Sequence, residues 1–224
     1  MRKISILLTI LFSIVGFAQQ QNYGVTVTGE GTVYVVPNEV VIRARVEHSG
    51  ESASEVKMQN DEVVSKILKF LKNKGILSKN VRTEYINLNK DYNYNTKEYS
   101  YSANQAISIH LEELDSYEEI MAGLLESGLN RIDAVNFKTS RQEEIKSEAR
   151  KLAVLNAKEK ASELVQPLGQ KLGQAFQISE VENARFVPVM QAMEMKSDRS
   201  GGEQTIAPGE LEVTVKINVS FLLL

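Results

Sequence analysis

The sequence predicts an α+β fold in which antiparallel-rich sheets pack with three helices around a ferredoxin-like core. Three segments combine a helix-start signal with apolar residues at helical spacing. Several others alternate apolar and polar residues, as strands do. From Val40 onward the order reads strand, helix, strand, strand, helix, strand, then a long helix and two more strands. Its first part is the split β-α-β arrangement of ferredoxin-like folds.

Residues 25–42 predict two strands separated by a turn at Pro37-Asn38, because apolar residues alternate on either side of it. Gly29-Glu30-Gly31 stands inside the first strand. A phosphate-binding loop needs its glycines between a strand and a helix, and Glu30 would repel an anion. We therefore interpret the two glycines as a β-bulge or as a place where another backbone packs closely.

The predicted helices share one start signal, a side-chain acceptor followed three residues later by Glu. The pairs are Ser52 with Glu55, Asp115 with Glu118, and Ser140 with Glu143. The first two helices are amphipathic, and we expect them to end at Gly75 and Gly128.

The third helix carries an alanine ridge, formed by Ala149, Ala153, Ala157 and Ala161 at four-residue spacing. Such a ridge lets a neighbouring element approach the helix axis closely. The neighbour is either in the same chain or in another subunit. We expect the helix to end near Pro167-Leu168-Gly169.

Further strands are predicted near residues 81–88, 99–111, 132–139, 176–181 and 211–221. The last alternates so regularly that one face should be buried and the other solvated or shared. Residues 182–209 are too long for an ordinary connection, and we expect a flexible loop across about 183–209, here called the Met-rich loop.

Residues 1–18 have the features of a signal peptide: Arg2 and Lys3, an apolar run, and small residues Gly16 and Ala18. We expect cleavage near Ala18 and export to the periplasm. The mature chain would then be residues 19–224, folded as one domain or as two lobes. The chain has no cysteine, so a lipid-anchored lipoprotein, disulfides and Cys-based zinc sites are excluded. A formal charge of −3 with mixed signs provides no basic stripe for nucleic acid.

Four segments together resemble the SIMPL domain family, a group of exported bacterial envelope proteins that includes periplasmic immunogenic proteins. They read VTGEGTVYVVPNEVVI, LKNKGILSKNVRT, ARKLAVLNAKEKASELVQPLGQKLG and PGELEVTVKINVSF. The resemblance implies an exported α+β protein that can assemble into ring-like homo-oligomers, with a role in the envelope or in resisting oxidative stress. It supplies no catalytic residues. Asn38 stands where the family pattern leads us to expect Asp, and both residues suit a turn.

Few residues are candidates for catalysis. Ser108 and His110 lie on one face of a predicted strand, but neighbouring positions alone do not make a nucleophile and base. His48 sits at a strand end, and we interpret both histidines as surface or edge residues. The carboxylates Glu30, Glu84 and Glu98 could serve a hydrolase, although no pair of them is placed on a common cleft by the sequence.

Tyrosines cluster around a predicted hairpin tip at residues 95–98, with Tyr92, Tyr94, Tyr99 and Tyr101 on its arms. They would stiffen the hairpin by cross-strand contacts, form a subunit interface, or stack on a glycan. The Met-rich loop contains Met190, Met193 and Met195, whose thioethers could hold Cu(I), or could pack against a neighbouring subunit. Plain disorder of this loop is a further alternative.

The sequence thus favours a non-enzymatic exported envelope protein that works as a homo-oligomer, assembled through the tyrosine hairpin, the Met-rich loop or the end strands. No cofactor and no small-molecule substrate are predicted; peripheral association with the envelope membrane is compatible with the sequence. A soft-metal or oxidant buffer is the second hypothesis, and a hydrolase the third.

Overall fold

The computed structural model describes residues 24–181, 185–189 and 206–224. The predicted signal peptide and the three methionines of the Met-rich loop lie outside the described residues. The described chain forms two compact units. The first contains residues 24–31, 149–181 and 215–224, and the second contains residues 32–148, 185–189 and 206–214.

The described residues form eight strands and three helices. The strands are β1 (Gly24–Val35), β2 (Glu39–Gly50), β3 (Val81–Asn93), β4 (Glu98–Leu111), β5 (Arg131–Lys138), β6 (Leu172–Glu180), β7 (Arg185–Val189) and β8 (Glu210–Leu223). The helices are α1 (Ala53–Asn73), α2 (Tyr117–Glu126) and α3 (Gln142–Val165). Short 3₁₀ turns occupy Ser78–Asn80, Leu114–Ser116 and Gln166–Leu168. The predicted α+β class is confirmed.

The second unit contains an antiparallel sheet in the order β3-β4-β2-β5. With α1 between β2 and β3 and α2 between β4 and β5, this is the predicted ferredoxin-like arrangement. Helices α1 and α2 cover one face, here called the helix face. Its apolar core includes Val40, Ile42, Ala44, Val46, Ile67, Leu71, Ile107, Ile109, Leu111, Ile120 and Leu124. The buried Asn60 of α1 donates hydrogen bonds to the carbonyls of Val46 and Ala103, which joins the helix to β2 and β4.

The ends of α1 agree with its sequence signals. The Ser52 hydroxyl accepts a hydrogen bond from the Glu55 amide at 3.4 Å. The helix ends at Asn73, and Gly75 follows with a positive φ of 80°. For α2 the predicted start at Asp115 is wrong, because residues 114–116 form a 3₁₀ turn and the helix begins at Tyr117. Its end before Gly128 is as predicted.

In the first unit, the two glycines of β1 allow the strand to pack closely against α3. An added Cβ at Gly29 would lie 2.6 Å from the amide nitrogen of Ala157, and one at Gly31 would lie 2.5 Å from that of Ala153. Both would also overlap carbonyl oxygens of α3. The alanine ridge of α3, which is fully buried, therefore rests directly on the backbone of β1. This confirms the close-packing interpretation and places the partner of the ridge within the chain.

The strands agree with expectation at one point and differ from it at two. The break at Pro37-Asn38 separates β1 from β2 as predicted, and it leads from one sheet to another, since β1 pairs in a sheet with β8 and β6 while β2 pairs with β4 and β5. Strand β6 begins at Leu172, four residues before the predicted position 176. Strand β7 occupies part of the segment predicted as a loop, and pairs with residues 210–214 of β8. The sequence did not predict this strand because it contains Pro188, and proline is tolerated only where a strand needs no amide donor.

Within the described part of the chain, no helix is both long and apolar enough to cross a membrane.

Candidate functional site

The distal part of the hairpin formed by β3 and β4 is exposed to solvent. Residues 86–102 are here called the tyrosine arm, and their strands pair from Asn89 opposite Ser102 to Asn93 opposite Glu98. Every residue of β3 from Ile86 to Asn93 is exposed, on both faces of the ladder. The arm therefore extends beyond the part of the sheet that the helices cover.

The tip of the arm is a defined turn. The Lys97 amide donates to the Asn93 carbonyl at 2.7 Å, and the Asn93 side chain accepts from the Asn95 amide at 2.9 Å. Lys97 adopts a positive φ of 62°. The predicted tip is confirmed, except that Glu98 already belongs to β4.

Three of the predicted tyrosines form one aromatic cluster. The Tyr92 ring lies 5.1 Å from Tyr94, edge to face, and 4.9 Å from Tyr99, its cross-strand partner. The Lys90 ammonium lies 4.0 Å from the centre of the Tyr99 ring and 5.8 Å from that of Tyr101. Cross-strand contacts of this kind stiffen a hairpin, so the structure brings all four predicted tyrosines together on the arm.

The arm is amphipathic. Its helix-face side carries Ile86, Leu88, Lys90, Tyr92, Tyr99 and Tyr101, and its other side carries Asn87, Asn89, Asp91, Asn93, Ser100 and Ser102. On the helix-face side the exposed fractions are 55% for Ile86, 46% for Leu88 and 57% for Tyr99. This side continues the buried face of the sheet past the ends of its covering helices. Ile86 and Leu88 are not among the interface residues predicted from the sequence, although their alternation with Lys90 and Tyr92 indicates a shared face.

The opposite face of the sheet, here called the open face, holds a groove of about 550 Å³. Nine of its ten lining residues are polar and four of them are cations: Val41, Arg43, Lys79, Asn80, Arg82, Glu84, Ser108, His110, Asn136 and Lys138. Glu84 accepts hydrogen bonds from Arg43 at 2.9 and 3.2 Å, and lies 3.7 Å from the Arg82 guanidinium. The register of β3 shifts between Thr83 and Tyr85. That shift makes Glu84 the extra residue of a β-bulge, a device that redirects side chains.

The two histidines have separate surroundings. His110 lies in the groove, and its Nε2 is 3.1 Å from the Glu39 carboxylate. Its hydrogen-bond partner is therefore Glu39, and no hydrogen bond joins it to Ser108. His48 lies on the helix face opposite Ala103, and its Nδ1 is buried without a hydrogen-bond partner among the described residues. Neither histidine is part of a nucleophile and base pair within the described chain.

The three candidate carboxylates lie on different elements. Glu30 is on β1 and lies 3.7 Å from Lys216, while Glu84 is in the groove and Glu98 is at the tip of the arm. Glu84 and Glu98 are separated by most of the β3-β4 ladder, about 30 Å at ~3.3 Å per residue. Two-carboxylate glycoside chemistry needs a separation of roughly 5–10 Å. The structure therefore does not bring Glu84 and Glu98 into one site.

No cluster of three or more His, Asp or Glu side chains suited to a metal ion occurs in residues 24–181, 185–189 and 206–224. The proposed Cu(I) ligands Met190, Met193 and Met195 lie outside those ranges.

Fold and site together define an α+β protein with a ferredoxin-like unit, an exposed aromatic β-arm and a polar groove on the open face of the sheet. The chain matches the family model described as SIMPL, a protein of unknown function (DUF541), over residues 25–221, and belongs to that family. The family resemblance noted from the sequence is confirmed.

Relatives with similar sequences span nearly the whole chain. The 26 kDa periplasmic immunogenic protein of Brucella melitensis biotype 1 is 29% identical, covering 97% of this chain and 93% of the relative. The uncharacterized protein YggE of Escherichia coli strain K12 is 26% identical, covering 97% and 92%. YggE of Edwardsiella ictaluri is 26% identical, covering 88% and 85%. The Brucella name places that relative in the periplasm, and none of the three names assigns a reaction.

Proposed function

We propose that this chain is a non-enzymatic, periplasmic envelope protein that works as a homo-oligomer, with the tyrosine arm as its assembly surface. The periplasmic name of the Brucella relative supports the location. The family resemblance supports a role in envelope integrity or in defence against oxidative stress.

The exposed apolar side of the arm is the observation that carries this proposal. A two-stranded hairpin is marginally stable in water, since it has no second layer in which to bury side chains. The arm nevertheless presents Leu88, Tyr92 and Tyr99 to solvent on one side. Contiguous apolar patches on soluble proteins mark interaction sites, and tyrosines are enriched at the centres of interfaces. A second copy of the chain offers a matching surface, because an interface of two-fold symmetry uses the same patch twice.

The test measures the mass of the mature chain, residues 19–224, by light scattering after size exclusion at about 10 µM. We expect a multiple of the protomer mass. The double variant Leu88→Thr with Tyr99→Thr removes two anchors and keeps strand-forming residues. Each anchor of an interface contributes about 2 kcal/mol, or ~30-fold in the dissociation constant. The variant should therefore shift to the protomer.

The matched control is Asn89→Thr with Ser100→Thr, on the polar side of the same ladder. It should leave the mass unchanged, and circular dichroism should show both variants folded. A wild-type chain that runs as a protomer contradicts the proposal. So does a control that dissociates as readily as the anchor variant.

A further inference from the structure

We propose that the groove on the open face binds a tetrahedral oxyanion, the phosphate group of a small organic phosphate or of a lipid headgroup. The groove contains the side-chain donors for such a ligand, and its volume of about 550 Å³ is in the range of small-molecule sites. All of its lining residues belong to the second unit.

The register of the strands places the two arginines symmetrically. Arg43 on β2 and Arg82 on β3 are both cross-strand partners of Ser108 on β4. Adjacent strands lie about 4.8 Å apart, so the Cα atoms of the two arginines are roughly 10 Å apart with Ser108 between them. An oxyanion above Ser108 would therefore receive a guanidinium from each side. Guanidinium groups suit phosphate because they donate two parallel hydrogen bonds.

A second row of donors lies one step along the same face. His110 is opposite Val41, and Val41 is opposite Asn136, with Lys138 two residues beyond on β5. The side chains of Ser108, Asn136 and Lys138 have no hydrogen-bond or ion-pair partner among the described residues. Hydroxyl, amide and ammonium donors thus remain available in a groove that already contains two arginines.

The charge of the groove favours an anion. Its lining carries four cations and one carboxylate, Glu84. Two carboxylates lie at the edge of the groove, where Glu39 contacts His110 and Glu112 pairs with Lys79. They reduce the net positive charge of the groove without reversing its sign. The Asn80 amide and Lys79 hold the pKa of Glu112 below its usual range, so this carboxylate is ionised. A positive groove stands out in a chain of formal charge −3.

Glu84 occupies the place between the arginines that the ligand would take. Its carboxylate contacts both guanidinium groups and is only 18% exposed. It therefore acts as an internal competitor, and an arriving phosphate would displace it from the arginines. This yields a directional expectation: removing the charge of Glu84 should strengthen anion binding.

The experiment titrates inorganic pyrophosphate into the full mature chain by calorimetry at low ionic strength. We expect saturable binding, at least tenfold weaker in Lys138→Gln and in Arg82→Gln, and at least threefold tighter in Glu84→Gln. Tighter binding cannot arise from unfolding, which guards against a folding defect. The control is Lys69→Gln, an exposed cation of α1 on the other side of the same sheet, which should bind as the wild type does.

Two further arms identify the source of the phosphate. A lipid headgroup would be assigned if the protein sediments with phosphatidylglycerol vesicles and not with phosphatidylcholine vesicles, and if Lys138→Gln abolishes this sedimentation. Pyrophosphate binding without vesicle binding would assign a free organic phosphate. No pyrophosphate binding at millimolar concentration overturns the proposal, and so does equal binding of acetate or no gain in Glu84→Gln. The result is independent of assembly, because the groove and the apolar side of the arm lie on opposite faces.

Discussion

Replacing Gly29 with Ala tests whether β1 and the alanine ridge of α3 meet backbone to backbone. The added methyl would overlap the Ala153 carbonyl oxygen and lie 2.6 Å from the Ala157 amide nitrogen. Real Cβ atoms essentially never approach another heavy atom within 3.0 Å. Because main-chain atoms of a helix cannot turn aside as a side chain can, the whole helix must move away from the strand.

The expected loss follows from that movement. Overpacking of a close-packed interior typically costs ~1–3 kcal/mol, and a displaced helix belongs at the upper end of that range. We therefore expect Gly29→Ala to lower the free energy of unfolding by about 3 kcal/mol. For a chain of this size, ~1 kcal/mol corresponds to about 2–4 °C, so the midpoint of thermal unfolding should fall by roughly 6–12 °C.

Urea unfolding followed by far-ultraviolet circular dichroism measures this loss. The control is Glu30→Ala, which changes the neighbouring residue on the opposite, exposed side of β1 and should alter stability by less than ~0.5 kcal/mol. Adding Ala157→Gly to Gly29→Ala should not restore stability, because the obstructing atoms are mainly main-chain atoms. A neutral Gly29→Ala, or full rescue by Ala157→Gly, would refute this account of the contact.

Two other substitutions give further expectations. Gly123→Ala in α2 would push a methyl into the Phe70 ring of α1, whose Cε1 would lie 2.8 Å away, so we expect a loss of about 1–3 kcal/mol. Since that obstacle is a side chain, Phe70→Leu should recover part of the loss in urea unfolding, and additive losses would contradict the reasoning. Burial, followed by the nearby Glu118, raises the pKa of Tyr117 above its ordinary value of 10.0. The folded state thus favours the neutral phenol, and the stability it contributes is complete below about pH 10 and lost as the pH rises through the folded pKa. Tyr117→Phe should lose less stability than the wild type above about pH 10, and parallel pH profiles would exclude the effect.

Local pattern determined much of the fold. The Ser52 cap, the glycines that end α1 and α2, and the alternation of β2, β4 and β8 each depend on residues a few positions apart, so the sequence predicts them directly. The order of these elements was enough to indicate the ferredoxin-like arrangement. The start of α2 was missed because a 3₁₀ turn and a first helical turn share the same polar residues.

Of the two candidate sites, the sequence predicted the one formed within a single hairpin and not the one formed by distant segments. The four tyrosines of the arm were visible as a cluster within one hairpin, where register follows from a short turn. The groove on the open face could not be predicted from the sequence. Arg43, Arg82 and Lys138 are far apart in the chain, and they share a face only because β3, β4, β2 and β5 pair in that order.

The sequence by itself thus determined the family, the main helices and strands, and an aromatic hairpin, because each depends on local periodicity and short-range signals. Only the tertiary structure decided which chain segment the alanine ridge meets, which side of the arm stays exposed, and which charges gather on the open face. These depend on strand register and close packing between distant segments. A single residue of slip would move each side chain to the other face of its sheet.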